Sequence, residues 1–286
     1  MVRTLLLAGA LHAFATAGAA EIVMETPADL AGFTTYRPKA IDAPLPVVAW
    51  GNGGCANLGN SAAPLLSEIA AHGYLVIAIG PIGERAATEA RPARSATPEQ
   101  QLRTVVASSG PAPTQPEQLI EAIDWAERAN RKGVLGRKID VEHIAIAGHS
   151  CGGLQAIAAS KDRRVDTTML LNSGVFEQPR VKVAKTDLTA LHAPIAYFIG
   201  GPSDMAYANA EDDFARIDHV PVFKANNTFG HGGRLRDEGG GPTARWVIRW
   251  LDWHLKGDAA ARRAFVGEDC ELCREEGWNV ERKNLD

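Results

Sequence analysis

The chain has 286 residues with a formal charge of −4, and 45% of its residues are hydrophobic and 22% charged. That length is ample for one large core and slightly long for one compact domain, and the sequence holds no internal repeat, low-complexity tract or linker-separated second hydrophobic block. The mild acidity, with neither a basic stripe nor a cationic amphipathic helix, argues against nucleic acid and anionic membrane as partners.

Residues 1–20 combine Arg3, an apolar stretch over 5–15 and the small-residue end Ala17-Gly18-Ala19-Ala20. This reads as a secretory signal peptide cleaved after Ala19 or Ala20, because the apolar part is too short to span a bilayer and no stop-transfer pattern follows. The expectation is a periplasmic or secreted protein without membrane insertion, with 21–286 as a single domain. A buried first helix is the alternative.

Apolar strand-like runs then recur at 45–50, 74–79, 143–147, 167–171, 194–199 and 220–224. Several are nearly continuous in Val, Ile, Leu and Ala, as in a parallel sheet covered on both faces. Helical stripes fill the gaps at 62–72, through Leu65, Leu66, Ile69 and Ala70, and at 118–131, through Leu119, Ile120 and Ile123. Gly73 occupies a helix-terminating position before the next strand. Alternating strands and helices predict an α/β fold with a mostly parallel central sheet and helices on both faces. Residues 83–116, with five prolines and little apolar periodicity, interrupt this alternation. They read as an insertion, either a lid or substrate wall or a plain surface excursion. Near the end, Trp246, Trp250 and Trp253 lie at helical spacing and predict a helix docked on the sheet rather than a ligand platform. Gly239-Gly240-Gly241-Pro242 lacks the preceding strand and following Lys-Ser/Thr of a phosphate loop.

The run Ile144-Ala145-Ile146-Ala147-Gly148-His149-Ser150-Cys151-Gly152-Gly153 takes an apolar strand straight into Gly-x-Ser-x-Gly, followed by small and aliphatic residues suited to a buried helix. A sharp strand-to-helix turn would expose the Ser150 hydroxyl at the carboxyl edge of the sheet. A serine needs a positioned base, and the base needs an acid partner. Asp204 follows the strand at 194–199 across Gly200-Gly201-Pro202-Ser203, and His231 follows the strand at 220–224 between flanking glycines. Asp212 and Asp213 fall in a helical pattern, and Asp218 with His219 precedes a strand at the opposite edge; these read as solvated surface. His149 is expected to point away from the nucleophile and to pack, and His72, His143, His192 and His254 read as structural. For the oxyanion, the donors expected are the Cys151 amide and one from the loop Gly51-Asn52-Gly53-Gly54-Cys55, with Asn52 first and Gly53 second. A dinucleotide reading of those glycines fails for want of the third glycine.

The Gly-Asn-Gly-Gly-Cys loop, the Ser150 turn, the Asp204 turn, His231-Gly232-Gly233 and the late Trp250-Leu251-Asp252-Trp253-His254-Leu255-Lys256-Gly257-Asp258 together resemble the α/β-hydrolase superfamily. Within it the chain is most similar to the dienelactone hydrolase, polyester hydrolase and cutinase branch, over about residues 41–275. Cutinase-like polyester hydrolases tend to carry an aromatic residue where this chain has Asn52, which argues against plastic-like or cutin-like substrates. The resemblance implies a serine esterase acting on a small-molecule or polymeric carboxylic ester through Ser150, His231 and Asp204, with no metal or organic cofactor. An acyltransferase or a peptidase could use the same residues, and a non-catalytic binding protein is the remaining alternative. The alcohol and acyl groups and the oligomeric state are left open.

Four cysteines suit an oxidising compartment. Cys270 and Cys273 form a lone Cys-x-x-Cys that lacks two further zinc ligands and a thioredoxin-like context, so a local disulfide pinning the tail is expected. On the hydrolase fold the loops carrying Cys55 and Cys151 converge at the oxyanion hole. A disulfide between them would rigidify both donors, and two small buried thiols are the alternative. Ser173 is a further candidate for the substrate wall.

Overall fold

The computed structural model describes residues 20–84, 97–107, 111–176 and 180–285. The expected signal peptide, apart from Ala20, and residues 85–96 and 108–110 of the expected insertion lie outside the described residues.

Among the described residues the strands are β1 (Ile22–Glu25), β2 (Phe33–Pro38), β3 (Leu45–Gly51), β4 (Leu75–Ile79), β5 (Ile139–His149), β6 (Thr167–Leu171), β7 (Ile195–Ile199), β8 (Val222–Asn226) and β9 (Asn279–Lys283). The α-helices are α1 (Ala63–Ala71), α2 (Pro98–Ala107), α3 (Glu117–Arg131), α4 (Cys151–Ala159), α5 (Tyr207–Arg216), α6 (Ala244–Lys256) and α7 (Ala259–Arg262). The strands form one sheet in the order β1-β2-β4-β3-β5-β6-β7-β8-β9. Its six central strands run parallel, while β1, β2 and β9 attach antiparallel at the two ends.

Alternation along the strands divides the core into two layers. Val47, Ala49, Ile144, Ile146, Leu170, Ile195 and Tyr197 pack against α3 and α4 through Leu119, Ile123, Leu154 and Ile157. Val48, Trp50, Ala145, Ala147, Met169, Phe198 and Phe223 pack against α1 and α6 through Leu65, Leu66, Ile69, Trp250 and Leu251. A strand buried on both faces must be apolar at successive positions, which is why these runs lack a polar alternation. Trp250 is fully buried with its indole N–H donated to Thr167 Oγ1 at 2.7 Å. Burial of a side chain that large stabilises by more than the roughly 1.5–3 kcal/mol of a buried Leu or Phe only if such a polar handle finds a partner.

The sheet therefore follows the expected plan, with three differences. Strands β1, β2 and β9 were not expected, since each is short, half-polar or separated from the alternating pattern. Strand β8 starts two residues later than the apolar run suggests, after Pro221, which cannot donate to a ladder. Strand β5 begins at Ile139, with a register irregularity opposite Pro46 and Val47. From β3 the chain crosses to β4 on one side and returns to β5 on the other, so β3 and β5 flank a topological switch point. Open α/β sheets bind ligands at the carboxyl ends of strands in such a crevice.

Candidate active site

Ser150 follows β5 directly and caps α4, with φ 53° and ψ −120°. A non-glycine residue held there carries about 1–3 kcal/mol of backbone strain that its surroundings must offset. They do so by hydrogen bonding: the Ser150 N–H donates to Leu171 O at 2.9 Å, and its carbonyl accepts from the Gly153 N–H at 2.9 Å and the Ser173 hydroxyl at 2.7 Å. The turn is also crowded. A Cβ on Gly152 would lie 2.1 Å from the Gly51 carbonyl, and one on Gly148 would lie 2.3 Å from that of Gly152. Only glycine lets the ends of β3 and β5 and the start of α4 approach this closely.

The other strand ends bring His231 and Asp204 to the same edge. His231 Nε2 lies 2.8 Å from Ser150 Oγ, and His231 Nδ1 lies 2.6 Å from Asp204 Oδ1. Because the carboxylate accepts at Nδ1, that nitrogen carries the proton and Nε2 presents its lone pair to the serine hydroxyl. Asp204 is 1% exposed, and its two oxygens also accept from the Ala206 and Gly200 N–H groups and from Asn172 Nδ2. Burial alone would raise its pKa. The bond and charge of His231 together with the other donors outweigh that, holding the carboxyl below its usual range. His231 keeps 20% of its side chain exposed, so one face of the ring opens to the cavity it lines.

The loop after β3 closes the site. Gly53, Gly54 and Cys151 line a cavity of about 240 Å³ around Ser150 and His231. Asn52 is fully buried and is not part of that lining. Its side chain organises the loop, accepting from Trp50 Nε1 at 3.1 Å and Ser61 Oγ at 2.9 Å and donating to Ala56 O at 3.0 Å and Ile79 O at 2.6 Å. A disulfide joins Cys55 to Cys151, and a second joins Cys270 to Cys273. The Cys55 carbonyl is further held by buried Thr114, whose hydroxyl donates to it at 2.8 Å and accepts from Gln155 Nε2 at 2.9 Å.

Leu102, Leu154, Phe176 and Met205 give the cavity an apolar side, and Arg180 and Arg236 also line it. Leu102 comes from α2, so the described part of the expected insertion contributes a wall of the site. Ser173 lines the cavity as expected and also buttresses the Ser150 carbonyl.

No protein-family model matches the chain, and no curated protein is significantly similar to it in sequence. The chemistry of the site therefore rests on its own geometry.

Two residues expected to be passive have specific contacts here. His149 Nε2 lies 2.9 Å from the carbonyl oxygen of His231, and the two rings lie 5.5 Å apart. Burial, reinforced by the neighbouring His231 ring, lowers the His149 pKa to about 4. Asp213, read from the sequence as surface, is fully buried: it accepts from the Val175 N–H at 2.7 Å and Lys185 Nζ at 2.6 Å. It thereby anchors the segment after β6 that walls the cavity, and burial raises its pKa against the pull of Lys185. Asp212, by contrast, is a surface partner of Lys185 and Arg216, and Asp218 pairs with Lys283. Asn172, the residue after β6, carries no motif that marks it in the sequence, yet its amide contacts both Asp204 and the turn before His231. Among the described residues no cluster of His, Cys, Asp and Glu is arranged to hold a metal ion, and no helix is long and apolar enough to cross a membrane.

Proposed function

We propose that the chain is an exported serine hydrolase of α/β-hydrolase type that cleaves carboxylic esters through an acyl-enzyme intermediate. The observation that carries this reading is the continuous hydrogen-bond path from Ser150 Oγ through His231 to Asp204, at 2.8 and 2.6 Å, opening into a cavity with a largely apolar wall. The order of the three residues along the chain and their places after β5, β7 and β8 support the α/β-hydrolase assignment. The two disulfides support an oxidising destination.

In this mechanism Ser150 Oγ bonds to the ester carbonyl carbon as its proton passes to His231 Nε2. Asp204 holds the ring and balances the imidazolium charge. The oxyanion is met by the Cys151 amide, at the positive end of α4, and by an amide of the Gly53 loop, two donors tied through the Cys55–Cys151 bridge. Collapse breaks the bond to the leaving oxygen, which takes the proton from His231. Water then attacks the acyl-enzyme with His231 as base, releasing the acid and restoring Ser150. A cavity of about 240 Å³ bounded by Leu154, Phe176 and Met205 suits a short apolar acyl group.

The test is hydrolysis of p-nitrophenyl esters from acetate to long-chain by residues 21–286 and by the Ser150→Ala variant. Turnover that needs Ser150 and declines with chain length is expected. Equal rates in both proteins, or none in either, would remove the ester reading.

A further inference from the structure

His149 has no step in the proposed mechanism, yet it touches both loops that the mechanism depends on. A carbonyl oxygen can only accept, so the 2.9 Å contact with His231 O places the His149 proton on Nε2. On the other side of the ring, a Cβ built on Gly53 would fall 2.5 Å from His149 Nδ1, so the ring rests against the bare backbone of the oxyanion loop. His149, Gly53 and Gly232 also line both the site cavity and an adjoining one of about 310 Å³, which places the ring in the wall between them.

The base loop needs such support. Gly230 and Gly233, on either side of His231, both have positive φ, and regular secondary structure resumes only beyond them. Its fixed points are individual bonds, among them Asn227 N–H to Ile199 O at 2.8 Å, Gly230 N–H to Gly200 O at 3.1 Å, Gly230 O from Asn172 at 2.9 Å and from the Gly233 N–H at 3.1 Å, and His231 O from His149, the one of these that holds His231 itself. Asp204 fixes one end of the imidazole, but the distance from the other end to Ser150 also depends on where the His231 backbone sits.

We propose that His149 is a positioning residue that spaces the Gly53 loop from the His231 loop and so holds the base within hydrogen-bonding distance of Ser150. This rests on the ester-hydrolase reading for its kinetic consequences. The ring acts as a neutral donor: burial disfavours its cation, and His231 and Arg236 oppose it further while Asp204 favours it.

The experiment compares His149→Phe, which keeps an aromatic ring without the donor, with His149→Gln, whose amide N–H can reach the same carbonyl. A small misplacement of a reacting group can cost about 100-fold, so His149→Phe is expected to lose about 10- to 100-fold in kcat on p-nitrophenyl acetate with KM within about twofold. His149→Gln is expected to keep kcat within about threefold of wild type. Gly53→Ala pushes on the ring from the opposite side with the donor intact; because the Gly53 loop is also proposed to supply an oxyanion donor, the readout for this variant is a shifted or broadened His231 Nδ1–H resonance rather than kcat, and it serves if His149→Phe does not fold. A low-field proton resonance from His231 Nδ1–H, bonded to Asp204, reports the base directly; it should shift or broaden in His149→Phe and persist in His149→Gln. Unchanged kcat and resonance in folded His149→Phe, or equal impairment of the Phe and Gln variants, would overturn the proposal. If wild type and Ser150→Ala prove equally inactive on esters, the hydrolase reading fails, and the His231 resonance still decides the positioning role.

Discussion

Asn172 Nδ2 lies 2.8 Å from Asp204 Oδ2 and 2.9 Å from Gly230 O, so a single buried amide ties Asp204 to the turn that carries His231. Asn172 has φ 50°, a left-handed conformation that Asn tolerates better than most residues. Asn172→Ala leaves both acceptors one donor short, and loss of a hydrogen bond to a charged group costs about 1.5–3 kcal/mol. The expected result is a fall of about tenfold or more in kcat/KM for p-nitrophenyl esters. Asn172→Asp should be worse despite its matching shape, because it sets a second carboxylate against Asp204. Esterase assays on both variants decide the order; an aspartate variant as active as wild type would remove Asn172 from the site.

The two disulfides should differ sharply in what they contribute. Cys55–Cys151 links positions 96 residues apart, whereas Cys270–Cys273 spans a separation of 3. The chain-entropy model assigns a bridge closing so long a loop about 4.7 kcal/mol and one closing only a few residues about 2 kcal/mol. Cys55→Ala/Cys151→Ala should therefore lower urea stability by about two to three times the effect of Cys270→Ala/Cys273→Ala. It should also lower kcat, since it unties the two loops proposed to supply the oxyanion donors. Equal unfolding midpoints for the two double variants would contradict this.

The parallel sheet and the strand-end positions of Ser150, Asp204 and His231 were legible because each depends on local signals: buried apolar runs, glycine turns and chain order. The bridge between Cys55 and Cys151 was one of two open readings, since sequence shows that two loops can meet but not the distance between their sulfurs. The contacts of His149, Asn172 and Asp213 were not legible. His149 looks like a packing residue until the His231 carbonyl is placed beside it, and Asp213 lies in a helix whose charged neighbours Glu211 and Asp212 suggest a solvated face. Asn52 illustrates the converse. Its position in the loop was legible, but the inward turn of its side chain depends on Trp50, Ser61 and Ile79, which the fold gathers from separate elements.

Glycine at position 152 is required by contact rather than by conformation. An added Cβ would lie 2.1 Å from Gly51 C and O and 2.6 Å from Asn52 N, and backbone cannot move aside as a side-chain tip can. Overpacking typically costs 1–3 kcal/mol, and a backbone clash should reach about 3 kcal/mol or more. Gly32, whose added Cβ would meet nothing within 4 Å, is the control, and Gly32→Ala should change stability by under about 0.5 kcal/mol. Urea unfolding of Gly152→Ala and Gly32→Ala side by side measures the difference, and similar midpoints would show that the β3 and β5 ends can separate cheaply.

Stability should fall as the pH drops below neutrality, before the carboxylates titrate. Burial lowers the pKa of His149 and His254 to about 4. The His254 ring packs against Trp250 and Trp253 at 4.3 Å from each, with its Nε2 buried and without a hydrogen-bond partner among the described residues. Above the unfolded value of about 6.5 both states are neutral and these groups contribute no pH dependence. Between about 6.5 and 4 the unfolded chain takes up protons that the folded protein refuses, so stability declines, by up to about 1.4 kcal/mol per pH unit for each histidine. Asp204 is shifted in the same direction but acts in a lower window: its depressed pKa contributes stability that is lost only as pH falls below the unfolded carboxyl value. His254→Phe keeps a ring in the same aromatic cluster and removes one titrating group. Its unfolding free energy, measured in urea at intervals from pH 7.5 to 4.5, should show a shallower slope than wild type across that window. Parallel slopes would mean that His254 protonates in the folded protein as readily as in the unfolded chain.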